Sequence, residues 1–592
     1  MLHNLNAKKT LILSLTAIVL VLAFKAFSQA PALWAEHLPN PDSYTKLVLV
    51  RDWQASTGYQ YMARDGGPSG SYLHWSAVHT WAMQQLTWGL QGLGLSRDKA
   101  LLLAGGGLTL SSLMLLYLFG ILAILRQGGR LAALATLLAL MTSQGLNAYG
   151  QLVQITHHIF MLVPLAAAAW LILGQASAQQ PSLGKTSRTQ NTRAIIRPTL
   201  LAGLCLGLSL WISPETMPLI TGLVALQTSL RLQYPDGSRC WPMALGLCAL
   251  LLAGWLTDPP PPTFSPWALD HLSLAWLGWG GVLALLLCLA DQLATWPGQT
   301  LISRAGWISL AALIGGGLWL TLTPGALNGP AGLLPTELQT LWWNHINELR
   351  PAGKPSEILA WVAMPLLAGI LLLRQSIKIR CLWWGVLALT ALAYAGLAAW
   401  HMRMGAAAAL TGALAWGVWL SKKAAFHQQN PGNLPVHTQH QAALLLMAPV
   451  LIMLLSILSA AIEKNWDRPN DAPQACKLAD IADSLNALPP TTVLISLNDG
   501  PRLQWFTHHR TLAGNYHHNT QGILNVYHIW RAQDDDTQAR TLVKQQHIGA
   551  LLVCANAQAK GTRLAARLAR GEAPNWVQTP KTIDGWYWYP VL

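Results

Sequence analysis

Residues 100–124 read ALLLAGGGLTLSSLMLLYLFGILAI, a run without a single charge. A helix needs about 20 mostly apolar residues to cross a bilayer, so this stretch alone predicts a membrane span. Working outward from it, twelve further candidates appear, at about 10–29, 131–147, 157–174, 199–213, 216–230, 241–257, 273–291, 306–323, 358–373, 381–400, 404–420 and 441–462. The composition agrees. Of 592 residues, 52% are hydrophobic and 10% charged, with a mean hydropathy of +0.33, whereas a soluble globular protein carries roughly 25% charged residues. The expected fold is a polytopic α-helical membrane protein with about 13 transmembrane helices, and a soluble enzyme or a disordered chain is excluded. The 29 Trp against 7 Phe fit a membrane, because Trp favours its interfaces.

The net charge is +14. In a soluble protein that would point to nucleic acid. Here Lys and Arg fall mostly in short loops between apolar runs, so topology explains them and no nucleic-acid partner is expected. Lys8-Lys9, Arg126 with Arg130, Lys185 to Arg197, Arg231 with Arg239, Arg304, Arg374 to Arg380 and Lys422-Lys423 all fall on one side of a thirteen-span chain, which the positive-inside rule makes the cytoplasm. The N-terminus is then inside and the C-terminus outside. Ser28-Gln29-Ala30 resembles a small-residue cleavage site, but polar sequence of functional character follows at once, so the first span is read as a retained anchor.

Two domains are expected. Residues 1–462 form the transmembrane part, with a first outer loop at 30–99 and a large outer loop at 324–357. Residues 463–592 form a separate outer α/β domain, periplasmic or extracellular, with strands at 491–496 and 550–554 and a helix at 533–546 between them. The first outer loop reads as amphipathic helices lying on the membrane, anchored by Tyr44, Trp53, Tyr59, Trp75, Trp81 and Trp88. Cys205 and Cys248 lie within apolar runs as inert thiols. Cys476 and Cys554 bracket the polar domain and are expected to form a disulfide in an oxidising compartment.

Ionisable groups at the ends of apolar spans are costly and mark functional sites. Asp42, in Pro41-Asp42-Ser43-Tyr44, is either the N-cap of a following helix or a catalytic or metal-binding carboxylate. Asp52 beside Arg51 reads as a solvated ion pair. Thr156-His157-His158 stands at the mouth of the fourth span, where imidazoles can hold a metal or a phosphate. Glu215 lies between Pro214 and Pro218 with no Lys or Arg near it in sequence. In His401-Met402-Arg403, an Arg on the outer side needs an anion, from the protein or from a ligand phosphate that it can grip bidentately. His345, Asn347, Glu348 and Arg350 form a second, less specific cluster. Thr507-His508-His509 and Tyr516-His517-His518-Asn519 are read mostly as surface histidines. There is no Walker loop, zinc-protease helix, nucleophile elbow or dinucleotide fingerprint.

Taken together, these features resemble the GT-C superfamily of integral-membrane glycosyltransferases, and in particular its oligosaccharyltransferase-like bacterial members. The resemblance rests on the span count, an acidic residue early in the first outer loop, and an outer C-terminal domain. It also rests on Asp42-Ser43-Tyr44 followed by Arg51, Gly70 and His74-Trp75, and on Thr156-His157-His158, Glu215 and Tyr516-His517-His518-Asn519. Thr156 stands where such proteins carry an acid. The Trp-Trp-Asp acceptor motif of protein oligosaccharyltransferases is absent from the C-terminal domain, so N-linked protein glycosylation does not follow.

The resemblance implies an inverting glycosyltransferase that moves a sugar from a polyprenyl-phosphate or polyprenyl-diphosphate donor to a glycan, lipid or protein acceptor, on the outer face of a bacterial inner membrane. Asp42 and Glu215 would be catalytic. Arg403, His401, His157 and His158 would bind the donor phosphate. Asp42, His157, His158 and Glu215 would hold a divalent metal, Mg or Mn. His345, Glu348, Tyr516, His517 and Asn519 would line the acceptor side or the lid. The rivals from other classes are a lipid or polysaccharide transporter or flippase, which explains intramembrane polar groups but not the long loop and soluble domain, and a non-catalytic envelope scaffold.

Overall fold

The computed structural model describes residues 7–53, 58–127, 129–178, 192–328, 334–429, 436–466, 476–533, 537–556 and 559–592. Each expected apolar segment meets a helix: Ala7–Trp34, Arg97–Leu125, Arg130–Thr142, Leu162–Ala178, Thr192–Ile212, Met217–Gln233, Trp241–Thr257, Leu274–Thr295, Leu301–Leu322, Ala363–Ile379, Leu382–Trp400, Gly405–Gln429 and Val436–Trp466. Eight of these are long and apolar enough by themselves to cross a membrane. A ninth qualifies when Ala363–Ile379 is joined to Pro355–Trp361, with a 54° bend between them. The other four are 13 to 17 residues long. At 1.5 Å per residue they are shorter than the hydrocarbon core and pack within the bundle, as the buried faces of 130–142 and 217–233 show. Leu301–Leu322 and Val436–Trp466 instead leave their apolar side chains largely exposed, among them Leu313, Leu318, Leu454 and Leu458, as lipid-facing helices must. Helices 192–212 and 241–257 touch through small residues. A Cβ on Gly246 would stand 2.5 Å from the Leu200 carbonyl oxygen, so only glycine admits so close an approach.

Two departures from the expected limits bear on the site. The third helix stops at Thr142, because the Ser143 hydroxyl accepts from the Leu146 amide and starts a new short helix, Gln144–Tyr149. The fourth helix begins only at Leu162. His157 and His158 therefore lie in a buried loop before it rather than on its first turn.

The C-terminal part carries a five-stranded mixed sheet. With β1 at Tyr61–Met62 and β2 at Ser71–Tyr72 in the first long loop, its strands are β3 Thr492–Leu494, β4 Arg510–Thr511, β5 Ile548–Cys554, β6 Lys581–Ile583 and β7 Trp586–Pro590, in the order β4-β3-β5-β7-β6. β3 runs parallel to β4 and β5, and β7 runs antiparallel to β5 and β6. Helices 500–506 and 520–531, which the sequence reading did not resolve, connect these strands. Cys476 and Cys554 are joined by a disulfide.

The first half of the first long loop is buried inside the protein. Helix Pro41–Arg51 is buried from Ser43 through Val50, and Tyr44 and Trp75 are buried rather than interfacial; only Trp81 and Trp88 are exposed. The reason is the C-terminal domain above it. Trp505 and Tyr516 join the core formed by Tyr44, Leu47 and Trp75. Arg51 donates to the carbonyls of Trp505 and Gln504, each at 2.6 Å. The Thr511 amide donates to the Arg64 carbonyl at 2.9 Å. The large loop joins the same body, since Leu338 and Trp342 pack with Leu494, Leu512 and Ile523.

Candidate active site

Between one end of the helix bundle, the two long loops and the C-terminal domain lies a cavity of about 1100 Å³. Its wall includes Asp42, His74, Trp75, His157, Glu215, Asp270, Trp342, Trp343, His345, Glu348, Arg403, Tyr516 and His517. Residues scattered over most of the chain thus meet around one space.

Asp42 occupies the first turn of helix 41–51 without capping it. Asn40 is the cap, its side-chain oxygen accepting from the Ser43 amide at 2.8 Å. That frees the Asp42 carboxylate to face the cavity, where Tyr516 Oη lies 3.4 Å and Asn515 Nδ2 3.5 Å away. Tyr516 is itself hydrogen-bonded to Thr45. Burial pushes the Asp42 carboxyl up to about 6, Glu348 adds to the rise, and Arg403, Asn515 and Lys46 oppose it. Lys46, one turn further along the same helix, was not singled out from sequence. Its ammonium is buried 4.0 Å over the Trp75 ring. Burial lowers it to about 7, against the pull of Asp42 and Asp258.

Arg403 receives the anionic partner that its position demanded, and the partner is protein. Its Nε lies 3.3 Å from Glu215 Oε2 and its Nη1 3.7 Å from Glu348 Oε1. The unexplained Glu215 and the unexplained Arg403 answer each other. Burial raises the Glu215 carboxyl, Arg403 opposes this, and Glu348 adds to it. Glu348 also accepts from Tyr149 Oη at 2.9 Å; burial pushes its carboxyl up, but Arg403, His158 and Tyr149 outweigh that and hold it low. Arg350 pairs with Glu357 and takes no part in the cavity wall. His401 bonds the Leu349 carbonyl and does not line the cavity either.

His157 lines the cavity, while His158 lies beneath it, against Glu215 and Arg403. Burial lowers both imidazoles, His158 to about 3 with Arg403 adding to the drop, so both are neutral near pH 7. They can donate or accept a hydrogen bond but bring no positive charge to a phosphate. Asn519 serves structure: its oxygen caps helix 520–531 through the Gly522 amide at 3.1 Å, and its amide donates to the Leu512 carbonyl at 3.0 Å. His509, read as a surface residue, is buried with Nε2 3.0 Å from the Leu485 carbonyl.

Among the described residues, one group gathers three ligand atoms of the kind that hold a metal, all within 4.8 Å of one another, and it is His74, Asp270 and His517. The set expected from sequence, Asp42, His157, His158 and Glu215, does not converge in this way. His517 Nε2 is 2.5 Å and His518 Nε2 2.6 Å from Asp270 Oδ2. Asp270 escaped notice because it sits in an irregular loop with no motif around it.

No family profile and no curated protein matches the sequence. Solved structures do match. The oligosaccharyltransferase AglB of Archaeoglobus fulgidus, in complex with an inhibitory peptide and a dolichol-phosphate, aligns with a TM-score of 0.61 at 14% identity, over 92% of this chain and 69% of that one. The oligosaccharyltransferase of that organism in its apo form gives 0.63 at 15% identity, with the same coverage. Its complex with Zn and sulfate gives 0.59 at 13% identity, over 92% and 67%. At such identities the likeness speaks for architecture alone: the chain shares the fold of these oligosaccharyltransferases.

Proposed function

We propose that the chain is a lipid-linked glycosyltransferase whose reaction takes place in the 1100 Å³ cavity. The observation that carries this reading is the convergence of a part-buried acid, Asp42, whose carboxyl is pushed up to about 6, with the Arg403, Glu215 and Glu348 cluster at one end of the helix bundle. A polyprenyl-phosphate or polyprenyl-diphosphate sugar would place its tail between helices and its sugar in the cavity, where Trp342, Trp343 and Trp75 offer ring faces to it. In the reaction, an acceptor hydroxyl attacks the anomeric carbon from the side opposite the phosphate. The carbon–oxygen bond to the phosphate breaks, and its electrons leave with that group. The hydroxyl proton passes to Asp42. A base poised near pH 6 is well matched to neutral conditions. Arg403, already oriented by Glu215 and Glu348, is the cation next to which the departing phosphate gains charge. His157 supplies a neutral hydrogen bond, and His345 and Tyr516 border the acceptor side.

This reading keeps Asp42 as base rather than metal ligand. The clustered His74, Asp270 and His517 are the better metal donors, and their two imidazoles suit neither Mg nor Mn as well as a softer divalent ion, since both prefer oxygen ligands. Residues 1–462 form the transmembrane unit and 463–592 an outer, periplasmic or extracellular domain. The support for that orientation is the charge pattern of the sequence, in which Arg126, Arg130, Arg239, Arg304, Arg374 and Arg380 fall in the short loops that thirteen crossings put on the other side. The test is turnover of a polyprenyl-phosphate sugar and a polyprenyl-diphosphate sugar by the purified protein, read as release of the unglycosylated lipid. No release with either donor, across glycan, lipid and peptide acceptors, would overturn the reading in favour of a transporter or scaffold.

A further inference from the structure

His74, Asp270 and His517 come from three segments that no local structure holds together. His74 follows strand β2 in the first long loop. Asp270 lies in the loop between helices 241–257 and 274–295. His517 opens the 3-10 turn His517–Asn519 that leads into helix 520–531 of the C-terminal domain. Their ligand atoms nevertheless meet within 4.8 Å. The rings of His74 and His517 have centroids 4.6 Å apart. His517 is buried, and His74 Nδ1 is buried without a hydrogen-bond partner. A buried imidazole nitrogen left unpaired costs free energy, and a metal ion is one partner that removes the cost. Hydrogen bonding within the cluster explains Asp270, which accepts from His517 and His518, but leaves His74 Nδ1 unaccounted for.

We infer that His74, Asp270 and His517 bind a late first-row divalent ion, zinc foremost, that clamps the C-terminal domain onto the two loops forming the cavity wall. The donor chemistry sets the choice of ion. Two imidazoles and one carboxylate match zinc, which takes nitrogen and oxygen ligands at about 2.0–2.2 Å. Ligands of a tetrahedral ion at that bond length stand roughly 3.4 Å apart, so the 2.5 Å contact between His517 and Asp270 would open and the wider separations, all within 4.8 Å, would close around the ion. Magnesium, with its demand for oxygen, is disfavoured. All three residues line the cavity, so a fourth position faces it and is available to water. The role is a clamp because the three ligands belong to three segments: with the ion bound, the domain cannot lift without breaking a ligand bond. The inference does not depend on the glycosyl-transfer reading.

The test uses the full-length protein in detergent, stripped with a chelator and titrated with ZnCl₂. One zinc per chain is expected, together with a rise in the unfolding temperature and slower proteolytic release of the C-terminal domain. His74→Ala and His517→Ala should each weaken zinc binding by more than ~100-fold, beyond the loss caused by an outer partner of a ligand. His508→Ala, on an exposed histidine, should bind as wild type. Zinc binding of unchanged strength in both ligand variants, or no binding by wild type, overturns the site. Should the variants not fold, Co(II) titrated into wild-type protein decides: an intense visible absorption shows a four-coordinate site, and a weak octahedral spectrum or none refutes it. One zinc bound with no change in proteolysis overturns the clamp.

Discussion

Arg403 Nε lies 3.3 Å from Glu215 Oε2, across two separate turns at one end of the helix bundle. Neither residue has a charged neighbour in sequence that would explain it, and each accounts for the other. The same guanidinium reaches Glu348, so a single cation holds two carboxylates of the cavity wall. Arg403→Ala should therefore do two things. Two part-buried acids lose their neutralising partner, lowering stability by about 1–3 kcal/mol, and affinity for a polyprenyl-phosphate falls. Arg403→Lys should restore part of the stability but less of the binding, since an ammonium cannot grip phosphate in the bidentate manner. Thermal unfolding and lipid-phosphate binding measured side by side test this, and an alanine variant with unaltered affinity would remove Arg403 from the donor site.

Asp42→Asn keeps the shape of the side chain and removes the base. The expected loss is about 10²–10⁴ in kcat, with donor binding retained. In the wild type, activity requires the ionised carboxylate, so kcat/KM should rise with pH through about 6 and then level off. The measurement is the pH profile of transfer. A profile flat from pH 5 to 7 would exclude Asp42 as the base.

Lys46 is a positioning residue for that titration. Its buried charge opposes the rise of the Asp42 carboxyl. Lys46→Met, similar in volume and apolar, should move the acidic limb of the pH profile to higher pH while leaving the plateau rate close to wild type. A purely structural role would change the rate without moving the limb.

The disulfide between Cys476 and Cys554 links the start of the C-terminal domain to the end of its central strand β5. Cys554→Ser should lower the stability of that domain by about 2–4 kcal/mol. Mass spectrometry of unreduced peptides should recover the cross-link, and two free thiols there would contradict it.

Reporter fusions test the orientation. A fusion after Lys423 should read cytoplasmic and one after Leu592 the opposite side. The same reading for both would be incompatible with thirteen crossings.

The sequence by itself determined the membrane class, the thirteen apolar helices, the charge asymmetry and the disulfide pair. Each of these is written in local composition, in segment length, or in the position of two cysteines. It also marked Asp42, Glu215, Glu348, Arg403 and His157, because a charge or an imidazole at the end of an apolar run is expensive wherever it points. Only the tertiary structure decided what each one faces. Asn40 rather than Asp42 caps the helix, so the carboxylate is free. Arg403 turns to Glu215 and Glu348, while the nearby His401 turns to a backbone carbonyl. Lys46 looks in sequence like an ordinary helix lysine, and it is buried because the C-terminal domain covers its helix. Asp270 finds His517, far away in the chain. The cost of a buried charge can be read from its immediate surroundings in sequence, but the partner that offsets this cost is set by long-range packing, and no local pattern encodes it.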